Sequence, residues 1–231
     1  MQDFICIAHR GASGHWPENT LLAFQKALAA GARWLELDVH LSADGELVVI
    51  HDAALERTTD GDGLVALQTY EQLRSLDAGR GEKIPLLADV LNLAAGRAIV
   101  NVELKGVGTG EPVAELLRRR FVAGLLKPAA VLASSLNEDE LRKLAGLLPQ
   151  VPLALVAKTA NRHLWQLANE LDVWSLHLKK GSINQDLLAE ARAGKRKVLA
   201  YTVNDRPQLQ RLRDWGVDGI FTDYPEHFCH A

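Results

Sequence analysis

The segment NTLLAFQKALAAGARWLELDVH, residues 19–40, holds both halves of a repeating unit. In its first half Leu21, Phe24 and Leu28 recur at i, i+3 and i+7, the period of one helix face. Asn19 or Thr20 can cap that helix and Gly31 can end it. From Trp34 onward the period changes to two. Leu35, Leu37 and Val39 share one face, and Glu36 and Asp38 share the other. A helix stopped by glycine and followed at once by a strand is the pattern of α/β architecture.

The same alternation runs outward in both directions. Apolar runs fall at 4–8, 34–39, 47–50, 98–104, 129–133, 153–157, 173–178, 198–203 and 218–221. Helical patterns lie between most of them, at 20–30, 86–95, 111–122, 137–148, 161–171, 184–193 and 207–215. The run 47–50 stands apart, because Asp44-Gly45 is a tight-turn signal that folds it back on the preceding strand. Eight strand–helix units remain. They predict an α/β fold of the TIM (β/α)8 barrel type, with an open doubly wound sheet as the alternative. Residues 53–83 hold two turn clusters around a short helical stretch, too long for an ordinary connection. They are expected as a small insertion after the second strand, on the barrel's C-terminal face. The expected organisation is one barrel domain over 1–231.

Composition narrows the class. The chain has 231 residues, 48% of them hydrophobic, and a formal net charge of −3. These values exclude a disordered chain and argue against a dedicated partner among nucleic acids or anionic membranes. No apolar stretch reaches the roughly 18 residues of a membrane span, and no leader-like basic start is visible. Cys6, inside an apolar run, reads as a core thiol rather than half of a bridge to Cys229. A reducing cytoplasm is the expected compartment. Oligomeric state is not legible.

In a barrel, residues at the C-terminal strand ends face the active site. The first strand ends in His9-Arg10, the second carries Glu36 and Asp38, the hairpin strand ends in His51, and the next carries Glu103 and Lys105. Three carboxylates converging from neighbouring strands repel one another unless a cation or proton intervenes. All-oxygen donors suit a divalent metal such as Mg2+ or Ca2+ better than zinc. The bland alternatives are a solvated acidic strand face and a plain Glu103–Lys105 ion pair. Two histidines can serve as acid and base near neutral pH, in either order. Arg10 offers a planar fork for phosphate oxygens, and Lys105 a point charge. Together these groups suit hydrolysis of a phosphate ester.

The ordered set His9-Arg10-Gly11, Pro17-Glu18-Asn19-Thr20, Glu36-Leu37-Asp38-Val39, His51-Asp52 and Glu103-Leu104-Lys105 resembles the glycerophosphodiester phosphodiesterase family. Tyr201-Thr202-Val203-Asn204 and the run from Gly216 to Pro225 are similar to that family's last two strands. The resemblance implies metal-dependent hydrolysis of a small-molecule glycerophosphodiester to an alcohol and sn-glycerol 3-phosphate. It implies Glu36, Asp38 and Glu103 as metal ligands and His9 and His51 as the acid/base pair. Arg10 and Lys105 would contact phosphate, Tyr201 would lie against the glycerol, and Glu18 would support the first loop. The first nucleophile, water or the glycerol 2-hydroxyl, stays open. Three other readings compete. A lysophospholipid-cleaving barrel needs an apolar entry. A non-catalytic glycerol-phosphate-binding module has no use for two histidines and three acids. A sugar-cleaving barrel using Glu36 and Glu103 leaves His9, His51, Arg10 and Lys105 unexplained.

Overall fold

The computed structural model describes residues 4–229. In chain order these form β1 (Ile5–His9), α1 (Leu21–Ala29), β2 (Trp34–Leu41), β3 (Leu47–Val49), α2 (Tyr70–Ser75), α3 (Leu87–Ala94) and β4 (Ile99–Leu104). Then come α4 (Gly110–Val122), β5 (Val131–Ser135), α5 (Glu138–Leu147), β6 (Leu153–Ala157), α6 (Arg162–Glu170) and β7 (Ser175–Lys179). The chain ends in α7 (Gln185–Ala193), β8 (Lys197–Tyr201), α8 (Arg206–Trp215), β9 (Gly219–Thr222) and α9 (Pro225–Phe228). The strand order β1-β9-β8-β7-β6-β5-β4-β2 closes because β1 also pairs with β2. The eight strands are parallel, so the fold is a TIM barrel. β3 alone runs antiparallel, folded onto β2 through the Asp44-Gly45 turn with Val39 opposite Val49.

The period-two pattern explains which side chains go where. Leu35, Leu37 and Val39 point outward into the shell between strands and helices, with Phe24 of α1 and Leu87 and Leu91 of α3. Ile5, Ile7, Leu199 and Phe221 point inward and form a separate cluster in the lumen. Local signals set the helix starts: Thr20, Asn161, Asn184 and Asp205 each accept a backbone N–H of the turn they cap. The left-handed Gly11 (φ +82) lets the loop after β1 press on α1, since a Cβ there would sit 2.6 Å from the Ala23 backbone.

The segment 53–83 sits beyond β3 on a core of its own, built from Val48, Ile50, Leu55, Val65, Leu73, Ala78 and Ile84. Its apolar residues do not all pack inward: Leu64 and Leu67 are 49% and 72% exposed. The cysteine expectation is corrected. Cys6 and Cys229 are joined in a disulfide across 223 residues, with Cα atoms 5.2 Å apart. Alternation along β1 turns Cys6 to the outer face, where the segment ending in α9 returns. No described helix is long and apolar enough to cross a membrane.

Candidate active site

Parallel register brings the acids together. His9 stands opposite Glu36, and Asp38 stands opposite Glu103. One oxygen from each of Glu36, Asp38 and Glu103 lies within 4.8 Å of the others. Glu36 and Asp38 are only 2% and 1% exposed. Burial, reinforced by the charges of Asp38 and Glu103, pushes the Glu36 carboxyl well above the usual range. Burial and Asp38 push Glu103 up as well. Asp38 Oδ1 and Glu103 Oε1 are shut off from solvent without a hydrogen bond, and both polar atoms of the neighbouring Asn101 amide are unpartnered. Converging acids with no soft donor among them, their solvent-shielded oxygens facing only the Lys105 ammonium, fit an oxygen-seeking divalent cation.

Cations and amides hold this triad in place. Arg10 adopts a left-handed backbone (φ 55), which aims its N–H at Glu36 Oε2, 2.9 Å away. Its Nη1 donates to Glu18 at 2.9 Å and its Nε lies 3.1 Å from Asp38 Oδ2. Nη2 takes part in neither contact. Asn19, also left-handed (φ 59), donates to Asp38 Oδ2 at 2.9 Å; asparagine tolerates that backbone better than most residues. Lys105 Nζ lies 3.2 Å from Glu103 and 3.7 Å from Asp38. Glu18 is gripped from the far side by Arg57 of the insertion, through bonds of 2.9 and 2.7 Å to its two oxygens. Burial alone would raise the Glu18 pKa, but the two arginines lower it.

Each histidine is oriented by an aspartate. His9 Nδ1 donates to Asp223 Oδ1 at 2.7 Å, and His51 Nδ1 donates to Asp52 Oδ1 at 2.5 Å. Each imidazole thereby keeps a proton on Nδ1, which leaves Nε2 for the cavity as base or acid. Asp223 also accepts from Ser13 and Asn204. Burial raises its pKa, yet the bond from His9 carries it below the usual range. Asp52 is lowered to about 2, first by its bond from Arg57. Burial lowers His51, outweighing the neighbouring carboxylates, so it is neutral at neutral pH. His40 Nε2 donates to the His51 carbonyl at 3.0 Å and fixes the backbone there.

These groups open on a cavity of about 360 Å³ at the C-terminal mouth. His9, Arg10, Glu36, His51, Glu103, Lys105 and Tyr201 all line it. Asp38 lies beneath, reaching it only through the triad, and Glu18 stands behind Arg10. Leu136, Val156 and Phe221 form an apolar wall, and Lys158 and His177 also line the space. Tyr201 donates its hydroxyl to the Ala157 carbonyl at 3.0 Å, so the ring, not the hydroxyl, is offered to a ligand. Sequence reasoning left out Asn19, Asp52, Arg57, Lys158, His177 and Asp223 as site residues. Asp52 and Asp223 had a usable signal, since a carboxylate beside a strand-end histidine is its usual orienter.

Comparison with known proteins bears on this geometry. The family model described as the Glycerophosphoryl diester phosphodiesterase family matches residues 9–227. A Bacillus subtilis protein, YqiK, is 38% identical, covering 95% of each chain. The glycerophosphodiester phosphodiesterase of Caldanaerobacter subterraneus is 35% identical over 96% of this chain and 95% of its own. Among solved structures, an Oleispira antarctica phosphodiesterase in complex with the product sn-glycerol-3-phosphate superposes with a TM-score of 0.91. It is 32% identical and covers 98% of this chain and 95% of that one.

Proposed function

The chain belongs to the glycerophosphoryl diester phosphodiesterase family, and from that premise we propose that it hydrolyses glycerophosphodiesters to an alcohol and sn-glycerol 3-phosphate at the barrel mouth. The observation that carries this reading is the meeting, at one cavity, of two aspartate-oriented imidazoles and a carboxylate triad of which Glu36 and Glu103 line the space. Glu36, Asp38 and Glu103 would hold a divalent cation, Mg2+ or Ca2+. When bound, such a cation offsets charge on the phosphate oxygens.

The chain's own groups divide the remaining work. Lys105 Nζ and the Arg10 guanidinium bind the anionic phosphate and hold it over the triad. His51, neutral because burial lowers it, takes the proton of the attacking hydroxyl at Nε2. A new P–O bond forms as the bond to the leaving alcohol breaks. His9 acts as the acid in its doubly protonated form: Nδ1–H stays bonded to Asp223 while the Nε2 proton passes to the leaving oxygen, leaving a neutral imidazole. The Tyr201 ring and the apolar wall exclude water around the glycerol. Arg57 and Glu18 tie the insertion to the first loop, next to His51 and Arg10.

The test is release of sn-glycerol 3-phosphate from a panel of glycerophosphodiesters with Mg2+, with Ca2+ and with chelator. Turnover that needs added metal supports the reading, and no release from any substrate overturns it. Phosphorus NMR during turnover separates attack by water from attack by the glycerol 2-hydroxyl, which passes through a cyclic phosphate. A cytoplasmic location belongs to the same reading.

A further inference from the structure

Two groups of side chains among the described residues gather metal-ligating atoms, and only one is the carboxylate triad. The other is His15, Glu226 and His227, whose ligand atoms lie within 4.8 Å of one another. We propose that these three residues form a second metal site, for a borderline divalent transition cation of the zinc class.

The geometry carries the assignment. His15 Nε2 lies 3.2 Å and His227 Nε2 3.7 Å from the same atom, Glu226 Oε1. Zinc bonds of about 2.0–2.1 Å place tetrahedral ligand atoms about 3.3–3.4 Å apart, so both separations resemble edges of such a tetrahedron. Glu226 Oε1 is screened from solvent, yet it accepts no hydrogen bond. The two imidazoles remain reachable, with side chains 57% exposed. Two nitrogens and one oxygen suit zinc, cobalt or nickel rather than Mg2+ or Ca2+, which favour all-oxygen sets. A fourth position stays open to water.

The scaffold around these atoms is built rather than incidental. The Tyr224 ring touches both imidazoles, edge-on to His15 at 5.1 Å and stacked on His227 at 5.9 Å. Gly14 is pressed against that ring, where a Cβ would meet it at 2.3 Å. The Gly14 N–H donates to the Asp223 carbonyl at 2.8 Å. α9, which carries Glu226 and His227, is followed directly by Cys229 and its bridge to Cys6. A cation here would join the loop after β1, which supplies Ser13, to α9, which directly follows the Asp223-Tyr224 connection; Ser13 and Asp223 both stand beside His9. Its role is to clamp them, not to take part in the reaction.

The test holds the oxygen triad with saturating Mg2+ and titrates Zn2+ by equilibrium dialysis. Wild type is compared with the double variant H15N/H227N and, separately, with E226Q. The expected result is one equivalent of Zn2+ lost in the double variant and weakened in E226Q. Circular dichroism and Mg2+-supported turnover should be unchanged. Bound Co2+ should show the intense visible bands of a tetrahedral site in wild type only. Equal zinc uptake by wild type and double variant overturns the proposal and leaves an ordinary surface ion pair.

Discussion

His177 is a buried base in the lumen, and its position sets an acid sensitivity that can be measured apart from catalysis. Its side chain is 1% exposed, its Nδ1 has no partner, and its ring stands edge-on to Phe221 at 4.8 Å. Burial pushes its pKa down to about 3. In the unfolded chain the value returns to about 6.5. The folded value is the lower one, so between these limits the unfolded state binds the extra proton. Stability from this group is therefore whole above about pH 6.5 and falls as pH drops towards 3, by about 1.4 kcal/mol per unit. From pH 7.5 to 4.5 the loss integrates to about 3 kcal/mol, and the full gap is worth about 5 kcal/mol. The perturbation is His177→Gln, which cannot titrate and can still bond Ser175, now 3.0 Å from the imidazole. Urea unfolding of both proteins at several pH values reads the difference, in which the carboxylates common to both cancel. Wild type should lose about 3 kcal/mol more than the variant over that interval. Parallel curves would refute the argument.

Three further outcomes follow from other contacts. In metal-free protein the raised Glu36 carboxyl costs stability once pH exceeds its unfolded value; E36Q should therefore melt higher than wild type at neutral pH in chelator, lose the rise on adding Mg2+, and have no turnover. D223N removes the charge that orients His9 and should lower kcat/KM by about 10²–10⁴-fold with unchanged circular dichroism; wild-type turnover would sink that role. Reducing the Cys6–Cys229 bridge frees a loop of 223 residues, and chain entropy predicts a loss of about 5 kcal/mol, read as a lower denaturant midpoint in dithiothreitol.

Much of the site was legible because its elements are local. The alternation Glu36-Leu37-Asp38 states which face is acidic without any knowledge of neighbours, and His9, His51 and Lys105 follow strand ends visible in the apolar pattern. What stayed hidden depends on closure of the barrel. His9 and Asp223 are 214 positions apart and meet only because β1 pairs with β9. Arg57 reaches Glu18 across 39 positions because the insertion folds on its own small core, a placement that no periodicity encodes. The sequence offers Asn19 or Thr20 as the helix cap; Thr20 takes it, which frees the asparagine to turn left-handed and hold Asp38. The cysteines misled for a related reason. Cys6 lies in an apolar run, and its outward direction matters only once α9 has come back beside it.

The return of the last strand to the first has one more consequence. With β1 hydrogen-bonded to β9 and the Cα atoms of Cys6 and Cys229 5.2 Å apart, the first and last described segments lie side by side. Around the ring of strands, no position is marked as first. A linker joining the segment before β1 to the segment after α9, with the chain opened instead in the exposed turn after α4, preserves every pairing that builds the site. The circular permutant should fold and keep the same cavity, because what the barrel conserves is the cyclic order of its strands and not the point at which the chain is opened.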